Sequence, residues 1–230
     1  MKNYLEEKRK LNFFFNKIYH FLFGEKFSKK IKFSFDKRNR LDLINYVIKK
    51  NNYKRYLEIG CHLDEIFEKI NISKIGVDPV SGGTFRGTSD EFFSRNKDMF
   101  DCIFIDGLHT YDQVLKDVKN SLKFLDNNGI IILHDCLPIS INHQRVPRTR
   151  YTWNGDVWKA IVKLRTKENY DIVTCKIDQG LSIIRKIKNK KILNLKKKDY
   201  KKLKFKDFFY NHEEYMRIVK YDDIFEYLKR

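Results

Sequence analysis

Three apolar runs, each ending in polar or small residues, constrain the fold of this chain more than any other feature. They read YLEIGC (Tyr56–Cys61), FDCIFIDGLH (Phe100–His109) and GIIILHDC (Gly129–Cys136). Because the runs do not alternate between apolar and polar residues, they predict strands buried on both faces, as in a parallel sheet covered by helices. Such sheets bind ligands beyond the carboxyl ends of their strands. The residues at those ends are the first candidates for a functional site: Glu58, Gly60, Asp106, His109, His134 and Asp135.

The rest of the central region predicts helices that alternate with strands. We expect helices at about 8–23, 37–50, 63–70, 89–97, 110–125 and 156–167, and further strands at 74–79, 84–87, 170–176 and 181–186. Thr110 and Gln113 have the spacing of a capping box. Only four residues join the last two strands, too few for a parallel crossover, so these strands form an antiparallel hairpin. Together these elements predict an α/β, Rossmann-like fold. Its sheet has seven strands, mostly parallel with a reversed last strand, and helices on both faces.

Charge divides the chain into a nearly neutral centre and two basic flanks. Residues 41–185 carry 21 Lys/Arg against 19 Asp/Glu, residues 1–40 carry 12 against 4, and residues 186–230 carry 15 against 7. We therefore predict one domain over 37–187, between a basic, aromatic helical extension (1–36) and a basic helical extension (188–230). Such flanks attract nucleic acid, anionic membranes or acidic glycans, although a solvated charged surface is the plainer interpretation.

The N-terminal extension contains an amphipathic stretch. Residues 8–23 place six apolar side chains on one helical face: Leu11, Phe14, Phe15, Ile18, Phe21 and Leu22. This pattern predicts a helix that packs on the domain or on a second subunit, which leaves a homodimer open. A helix in peripheral contact with a membrane is the alternative. We favour packing because the stretch is short and mixed in composition.

Composition also bears on the location of the protein. No apolar run approaches the ~20 residues that span a bilayer, and the acidic N-terminal residues do not resemble a signal peptide. The four cysteines, at positions 61, 102, 136 and 175, lack the spacing of a metal site or a disulfide framework. They predict buried, reduced thiols in a cytoplasmic protein.

Asp78, at the end of the second predicted strand, is a candidate ligand of a ribose. It follows Gly60 by eighteen residues, close to the spacing at which an acidic residue accepts ribose hydroxyls in nucleotide-binding folds. A turn-forming Asp before Pro79 is the structural alternative. The loop after Gly60 departs from a glycine-rich motif, since residues 61–64 read CHLD.

Two longer segments carry a resemblance to a known family. DGLHTYDQVLKDV (Asp106–Val118) and NNGIIILHD (Asn127–Asp135), followed by NGDVWKAI (Asn154–Ile161), resemble the class I methyltransferases related to catechol O-methyltransferase. The branch that includes macrocin and other sugar O-methyltransferases is the most similar. The resemblance covers residues 41–186 well and the tail more loosely. It implies the seven-stranded methyltransferase sheet and S-adenosylmethionine as the methyl donor.

The resemblance also implies roles for the residues of the cofactor side. Glu58 would pair with the ammonium of the methionine part, and the backbone at Gly60 would approach it closely. Asp78 would hold the ribose and Ser89 would meet the adenine ring. Asp106 is predicted to belong to both the cofactor side and the acceptor side of the site.

On the acceptor side the resemblance implies a base and, less clearly, a metal. His109 falls at the position of the catalytic base. Related enzymes bind Mg²⁺ through carboxylates at the positions of Asp106 and Asp135, but the third ligand position holds Cys136 or His134 here. Neither suits Mg²⁺, and a set of Asp106, His134 and Asp135 would favour Mn²⁺, Fe²⁺ or Zn²⁺, so the need for a divalent metal stays open. His134 is then a ligand or a second base. The alternative is that His109 caps a helix and His134 packs beneath the loop.

The polar connection 137–154 is long enough to indicate a functional loop. Arg145, Arg148 and Arg150 could hold an anionic acceptor such as a nucleotide-sugar diphosphate or an acidic glycan. Trp153 could stack on a sugar ring. The alternative for the arginines is that they are solvated loop charges.

The sequence thus predicts an O-methyltransferase that acts on a hydroxyl of a small molecule, a sugar, a nucleotide-sugar or a glycan. A nucleic-acid methyltransferase is one alternative, motivated by the basic flanks. It is disfavoured because the segment after the fourth strand reads D-G-L-H and not the N/D-P-P-Y/F of base methylation. A non-catalytic methyltransferase-like module is the other alternative, since the glycine loop is degenerate.

Overall fold

Eight strands form one sheet among residues 2–196 and 199–229, the part of the chain that the computed structural model describes. The strands are β1 (Arg55–Ile59), β2 (Ser73–Asp78), β3 (Phe85–Arg86), β4 (Phe100–Ile105), β5 (Leu125–Leu133), β6 (Asp171–Cys175), β7 (Leu181–Arg185) and β8 (Ile218–Val219). Their order across the sheet is β3-β2-β1-β4-β5-β7-β6-β8. Only β7 runs antiparallel to its neighbours, β5 and β6. The predicted α/β sheet with a reversed strand is confirmed, and β8 adds an eighth strand parallel to β6.

Helices cover both faces of this sheet, as predicted. They are α1 (Lys2–Phe23), α2 (Arg40–Asn51), α3 (Ser89–Arg95), α4 (Tyr111–Ser121), α5 (Ile141–Gln144), α6 (Val157–Arg165), α7 (Phe205–Met216) and α8 (Asp223–Leu228). Alternate strand residues reach opposite cores: Ile103 packs in the core under α3, α4, α6 and α7, whereas Phe104 packs in the core under α2 and α8. Because both faces are buried, the strands need no polar alternation.

Several local predictions were wrong at element ends. Thr110 precedes α4 without a side-chain cap, and Gln113 donates instead to Ser89 and Asp117. The predicted helix at 63–70 is a single 3₁₀ turn at Phe67–Lys69. The predicted helix at 110–125 ends at Ser121. It ends there because β5 begins at Leu125, where it pairs with Phe100.

The C-terminal segment contributes to the same core as the central domain. Phe205, Phe208 and Met216 of α7 are buried against the helix α6. The buried guanidinium of Arg165 in α6 donates to the carbonyl of Tyr215 at 3.0 Å. These contacts hold α7 and β8 against the predicted 37–187 region.

α1 packs on the domain with the face opposite to the predicted one. Phe13 and His20 are buried, whereas the six predicted apolar side chains are 41–73% exposed. The helix packs on the domain, as predicted, but the apolar face is not the face that does so; packing of that face on a second subunit stays a prediction. None of the helices in the described part of the chain has the length and hydropathy needed to cross a bilayer.

Candidate active site

The carboxyl ends of β1, β4 and β5 meet as the sequence predicts. Gly60, after β1, has a φ of +92°, and a Cβ there would overlap the backbone carbonyl of Asp106 after β4. The amide of Asp106 donates to the carbonyl of Ile59 at 2.8 Å. Glycine at position 60 therefore permits the close approach of the two strand ends on which the candidate site is built.

Asp106 is the centre of a network of charged side chains. Its Oδ1 lies 3.0 Å from His134 Nδ1 and 3.2 Å from His109 Nε2. Its Oδ2 accepts from the guanidinium of Arg40 at 2.6 Å. The carboxylate is thus surrounded by three cationic or potentially cationic groups, which compensate the cost of burying its charge.

Asp135 holds the other side of the His109 ring. Its Oδ2 lies 2.9 Å from His109 Nδ1, and its Oδ1 accepts from the amide of Asn154 at 2.9 Å. Gly155 follows with a φ of +60°, and a Cβ there would overlap the carbonyl oxygen of His109. The imidazole is therefore fixed between two carboxylates, with one nitrogen toward each.

Two members of this network, Arg40 and Asp178, escaped the sequence analysis. Arg40 begins α2, and its Nε lies 2.9 Å from Asp178 Oδ2 in the turn between β6 and β7. His134 Nε2 also lies 2.9 Å from the carbonyl oxygen of Asp178. The predicted hairpin already placed this turn at the carboxyl edge of the sheet, so the topology could have indicated Asp178. No sequence signal marks Arg40, which lies in a run of basic residues.

The network shifts the pKa values of its histidines and carboxylates. Burial disfavours charge on His109, but the hydrogen bonds to Asp106 and Asp135 outweigh it and raise the pKa of His109 to about 10. Burial is likewise outweighed at His134, where the two carboxylates raise the pKa well above its usual value. Burial would raise the pKa of Asp106, but the charge of His134 and the hydrogen bonds of both imidazoles hold it below its usual range. Both rings are therefore protonated at neutral pH in the free protein.

A cavity of about 660 Å³ opens beside this network. One wall is the loop after β1, and the other is the end of the 137–154 connection. The residues that line it include Arg40, Glu58, His109, Arg148, Tyr151 and Trp153. Glu58 is buried and accepts from the hydroxyl of Tyr56 at 2.7 Å, and burial raises the pKa of this carboxyl to about 7. The cavity thus joins the predicted cofactor side to the predicted acceptor side.

Two predicted cofactor residues, Asp78 and Ser89, do not line this cavity. Asp78 accepts from the backbone amides of His62, Val80 and Ser81 at 2.8–3.0 Å, which is the turn-forming role of the structural alternative. Ser89 donates to Asp117 at 2.6 Å and ties α3 to α4. Their roles toward a ribose and an adenine stay predictions.

The loop after β1 adopts a glycine-like backbone with other residues. His62 and Asp64 have φ values of 50° and 61°, a region that side chains other than glycine adopt at a cost of about 1 kcal/mol or more each. Asp64 Oδ1 accepts from the amide of Gly83 at 2.7 Å. This bond and the amide contact of His62 with Asp78 stabilise the strained loop.

Trp153 and Arg148, two of the predicted acceptor residues, line the cavity. The rings of Trp153 and His109 stack with centroids 5.5 Å apart, and the guanidinium of Arg148 lies 5.7 Å from the Trp153 ring centroid. Arg145 and Arg150 line an adjoining groove of about 650 Å³ that shares Tyr151 with the cavity. The four predicted residues therefore divide between two connected spaces.

The three predicted metal ligands come together but do not fit Mg²⁺. Asp106, His134 and Asp135 each offer an atom within 4.8 Å of the others. However, a guanidinium and two imidazoles already contact the carboxylate oxygens of Asp106, and His109 contacts Asp135. Mg²⁺ requires about six oxygen ligands in an octahedron, and the fixed charge of Arg40 opposes any divalent cation at this place.

Comparisons with known proteins agree with this architecture. Residues 47–136 match a family model described as a methyltransferase domain. A search of curated proteins found no match. A putative O-methyltransferase from Klebsiella pneumoniae is 12% identical and has a TM-score of 0.51 over 66% of this chain and 84% of its own. A putative caffeoyl-CoA O-methyltransferase from Staphylococcus aureus is 19% identical, with a TM-score of 0.49 over 80% and 98% of the two chains.

The fold is that of an O-methyltransferase structure, and residues 47–136 match a methyltransferase domain. The match agrees with the predicted enzyme class, a methyltransferase. The four cysteines are buried and free, as predicted.

Proposed function

We propose that the protein transfers the methyl group of S-adenosylmethionine to a hydroxyl of an anionic sugar, nucleotide-sugar or glycan. The observation that carries this proposal is the His109 imidazole, held between two carboxylates on the wall of a cavity that begins at the Gly60 loop. This arrangement provides a base of fixed orientation next to the place where the donor binds.

The donor would occupy the cavity with its methionine part at Glu58 and Gly60. The buried Glu58 carboxyl, with its pKa of about 7, would ionise fully once a ligand ammonium approaches, because an opposite charge nearby favours the charged form. The adenosine part would extend toward Asp78 and Ser89, as the family resemblance implies. Residues 61–63, 65 and 66, which line the cavity, would flank it.

On the acceptor side, His109 would take the proton of the attacking hydroxyl. Methyl transfer is an in-line displacement: the acceptor oxygen forms a bond to the methyl carbon as the bond from sulfur to that carbon breaks. The hydroxyl proton passes to His109, and the carboxylates of Asp106 and Asp135 stabilise the resulting imidazolium. A base whose conjugate acid has a pKa of about 10 is stronger than free imidazole, but it must first lose its own proton.

Arg40 supplies the fixed positive charge of the site, so we propose that the transfer needs no divalent metal. Its guanidinium contacts Asp106 and Asp178 and lines the cavity. It holds these two carboxylates near each other and does not use the imidazole of His109. His134 would then act as a structural cation beneath the site and not as a metal ligand.

The charge around the acceptor side supports an anionic acceptor. Burial lowers the pKa of Arg145 and of Arg148, and no carboxylate of the described residues offsets this shift. The Nε of Arg145 is buried without a hydrogen-bond partner among them. A phosphate or carboxylate of the acceptor would satisfy these groups through charge-assisted hydrogen bonds.

A methyl-transfer assay tests the proposal. Methyl-labelled S-adenosylmethionine would be incubated with a panel of nucleotide-sugars, acidic oligosaccharides and their neutral counterparts, and the product located by mass spectrometry. We expect O-methylation of an anionic acceptor, abolished in His109→Gln and retained in the control His212→Gln. Transfer to a nucleic-acid base, or full activity of His109→Gln, would contradict the proposal.

A further inference from the structure

α1 is held on the domain by one narrow face, which fixes its rotation about its own axis. The ring of Phe13 is buried. The side chains of Asn16 and His20 hydrogen-bond the backbone carbonyls of Arg148 and Pro147, each at 2.8 Å. The opposite face of the helix is consequently turned away from the domain.

That opposite face is a band of exposed large apolar side chains. Eight are at least 41% exposed: Leu11, Phe14, Phe15, Ile18, Tyr19, Phe21, Leu22 and Phe23. At about 100° per residue, all but Phe23 fall within an arc of about 160° that is centred opposite to Phe13 and His20. Half of the exposed large hydrophobic side chains in the described residues lie in this one stretch.

The charges around the apolar band are positive, apart from Glu7 at its N-terminal end. Between Lys8 and Gly24 the sequence contains no acidic residue. Lys10 and Lys17 follow one edge of the band, Lys8 lies near the other, and all three are exposed. Aromatic and aliphatic side chains bordered by lysines are the arrangement with which a helix lies in the interface of an anionic membrane.

We propose that α1 docks the protein onto an anionic lipid surface, with the apolar band inserted between headgroups and the bordering lysines against their phosphates. One stretch of the same sign follows α1 directly: Lys26, Lys29 and Lys30 are exposed. Each cation near such a surface adds to the attraction, and salt weakens it.

Charge argues against a second copy of the chain as the occupant of this face. A two-fold contact through α1 would bring the lysines of both copies together. Residues 7–30 carry seven Lys/Arg against Glu7 and Glu25, so most of this repulsion would remain. Anionic headgroups neutralise the same lysines.

The buried face of α1, opposite to the docking face, contacts a loop of the candidate active site. Tyr151 contacts the buried side of α1 through Phe13, with ring centroids 5.1 Å apart, and it also lines the cavity. Docking therefore holds the site close to the headgroups, which suits an acceptor that is itself attached to a lipid. This last consequence rests on the proposed function, whereas the docking does not.

Vesicle flotation tests the docking on the full chain. We expect binding to vesicles of phosphatidylcholine mixed with phosphatidylglycerol, little binding to phosphatidylcholine alone, and loss of binding at high salt. The double variant Phe21→Ser and Leu22→Ser should weaken vesicle affinity by roughly tenfold or more. The control Val80→Ser and Ile192→Ser removes exposed apolar side chains elsewhere and should leave it unchanged.

A second measurement reports insertion directly. In the variant Phe21→Trp, added tryptophan fluorescence should shift to the blue and be quenched by brominated lipid in anionic vesicles. Absence of quenching would overturn the proposal, as would equal binding to neutral vesicles. A dimer in analytical ultracentrifugation that the Phe21→Ser and Leu22→Ser variant abolishes would also overturn it, in favour of a second copy. Neither result bears on methyl transfer, which the labelled-donor assay tests separately.

Discussion

The titration of His109 is the sharpest quantitative consequence of the site. The ring lies 3.2 Å from Asp106 and 2.9 Å from Asp135, and these carboxylates raise its pKa to about 10 against the effect of burial. At pH 7 only about one ring in a thousand is then neutral, and this fraction rises about tenfold per pH unit up to pH 10. The rate of methyl transfer should rise with pH in the same way, if His109 is the base.

Replacing one carboxylate should move this titration by a predictable amount. Asp135→Asn retains an oxygen that accepts from Asn154 but removes a charge next to the ring. Loss of an opposite charge at this distance should lower the pKa of His109 by about 1 to 3. The control Asp98→Asn, an exposed carboxylate outside the site, should leave it unchanged.

Imidazole NMR measures this pKa without a known acceptor. The chain has six histidines, and the His109 signal is assigned by its absence in His109→Gln. The raised pKa also stabilises the fold at low pH: the contribution is complete below the unfolded value of about 6.5 and is lost as pH rises through about 10. A His109 signal that titrates near 6.5, or one that Asp135→Asn does not move, would refute the argument.

Further predictions concern the surrounding residues. Arg40→Gln removes the guanidinium that contacts Asp106 and Asp178 and should lower the free energy of unfolding by about 3 kcal/mol in urea denaturation. Arg38→Gln, at a more exposed pair, should lower it by less. Exhaustive chelation should leave the methyl-transfer rate unchanged, and a loss that Mn²⁺ restores would show that the proposed metal-free site is wrong. Arg148→Ala should raise the KM for an anionic acceptor about tenfold or more with little change in kcat, and an equal effect on a neutral acceptor would count against an anion site.

The strands of the sheet could be predicted because their signals are local. The runs that end at Ile59, Ile105 and Leu133 are mostly apolar, as strands buried on both faces are, and the short turn before Leu181 permits only a hairpin. Since the carboxyl ends of parallel strands meet at one edge, the convergence of Asp106, His109, His134 and Asp135 followed from the topology.

The contacts of Arg40 could not be predicted in this way. Its partners Asp106 and Asp178 lie 66 and 138 residues further along the chain, and nothing in a run of basic residues distinguishes the one that turns inward. For Asp78 the sequence permits two roles, and spacing alone does not distinguish them. Its spacing from Gly60 fits a ribose ligand, whereas in the structure its oxygens accept from the amides of its own turn.

The face through which α1 contacts the domain could not be predicted, because periodicity identifies an apolar face but not what covers it. The pattern of Phe14, Ile18 and Phe21 is correct for a helix, and the structure exposes it. The buried face is smaller and mixed, with Phe13 and His20, and its bonds go to loop carbonyls that no pattern marks.

The assignment of the cavity to the methyl donor is tested by calorimetric titration with S-adenosylhomocysteine, the demethylated form of the donor. We expect a one-to-one complex with the wild-type protein, affinity about tenfold weaker or more in Glu58→Gln, and unchanged affinity in Glu68→Gln, whose side chain is exposed. No measurable binding to the wild-type protein, or equal affinity in both variants, would contradict the assignment of the cavity to the methyl donor.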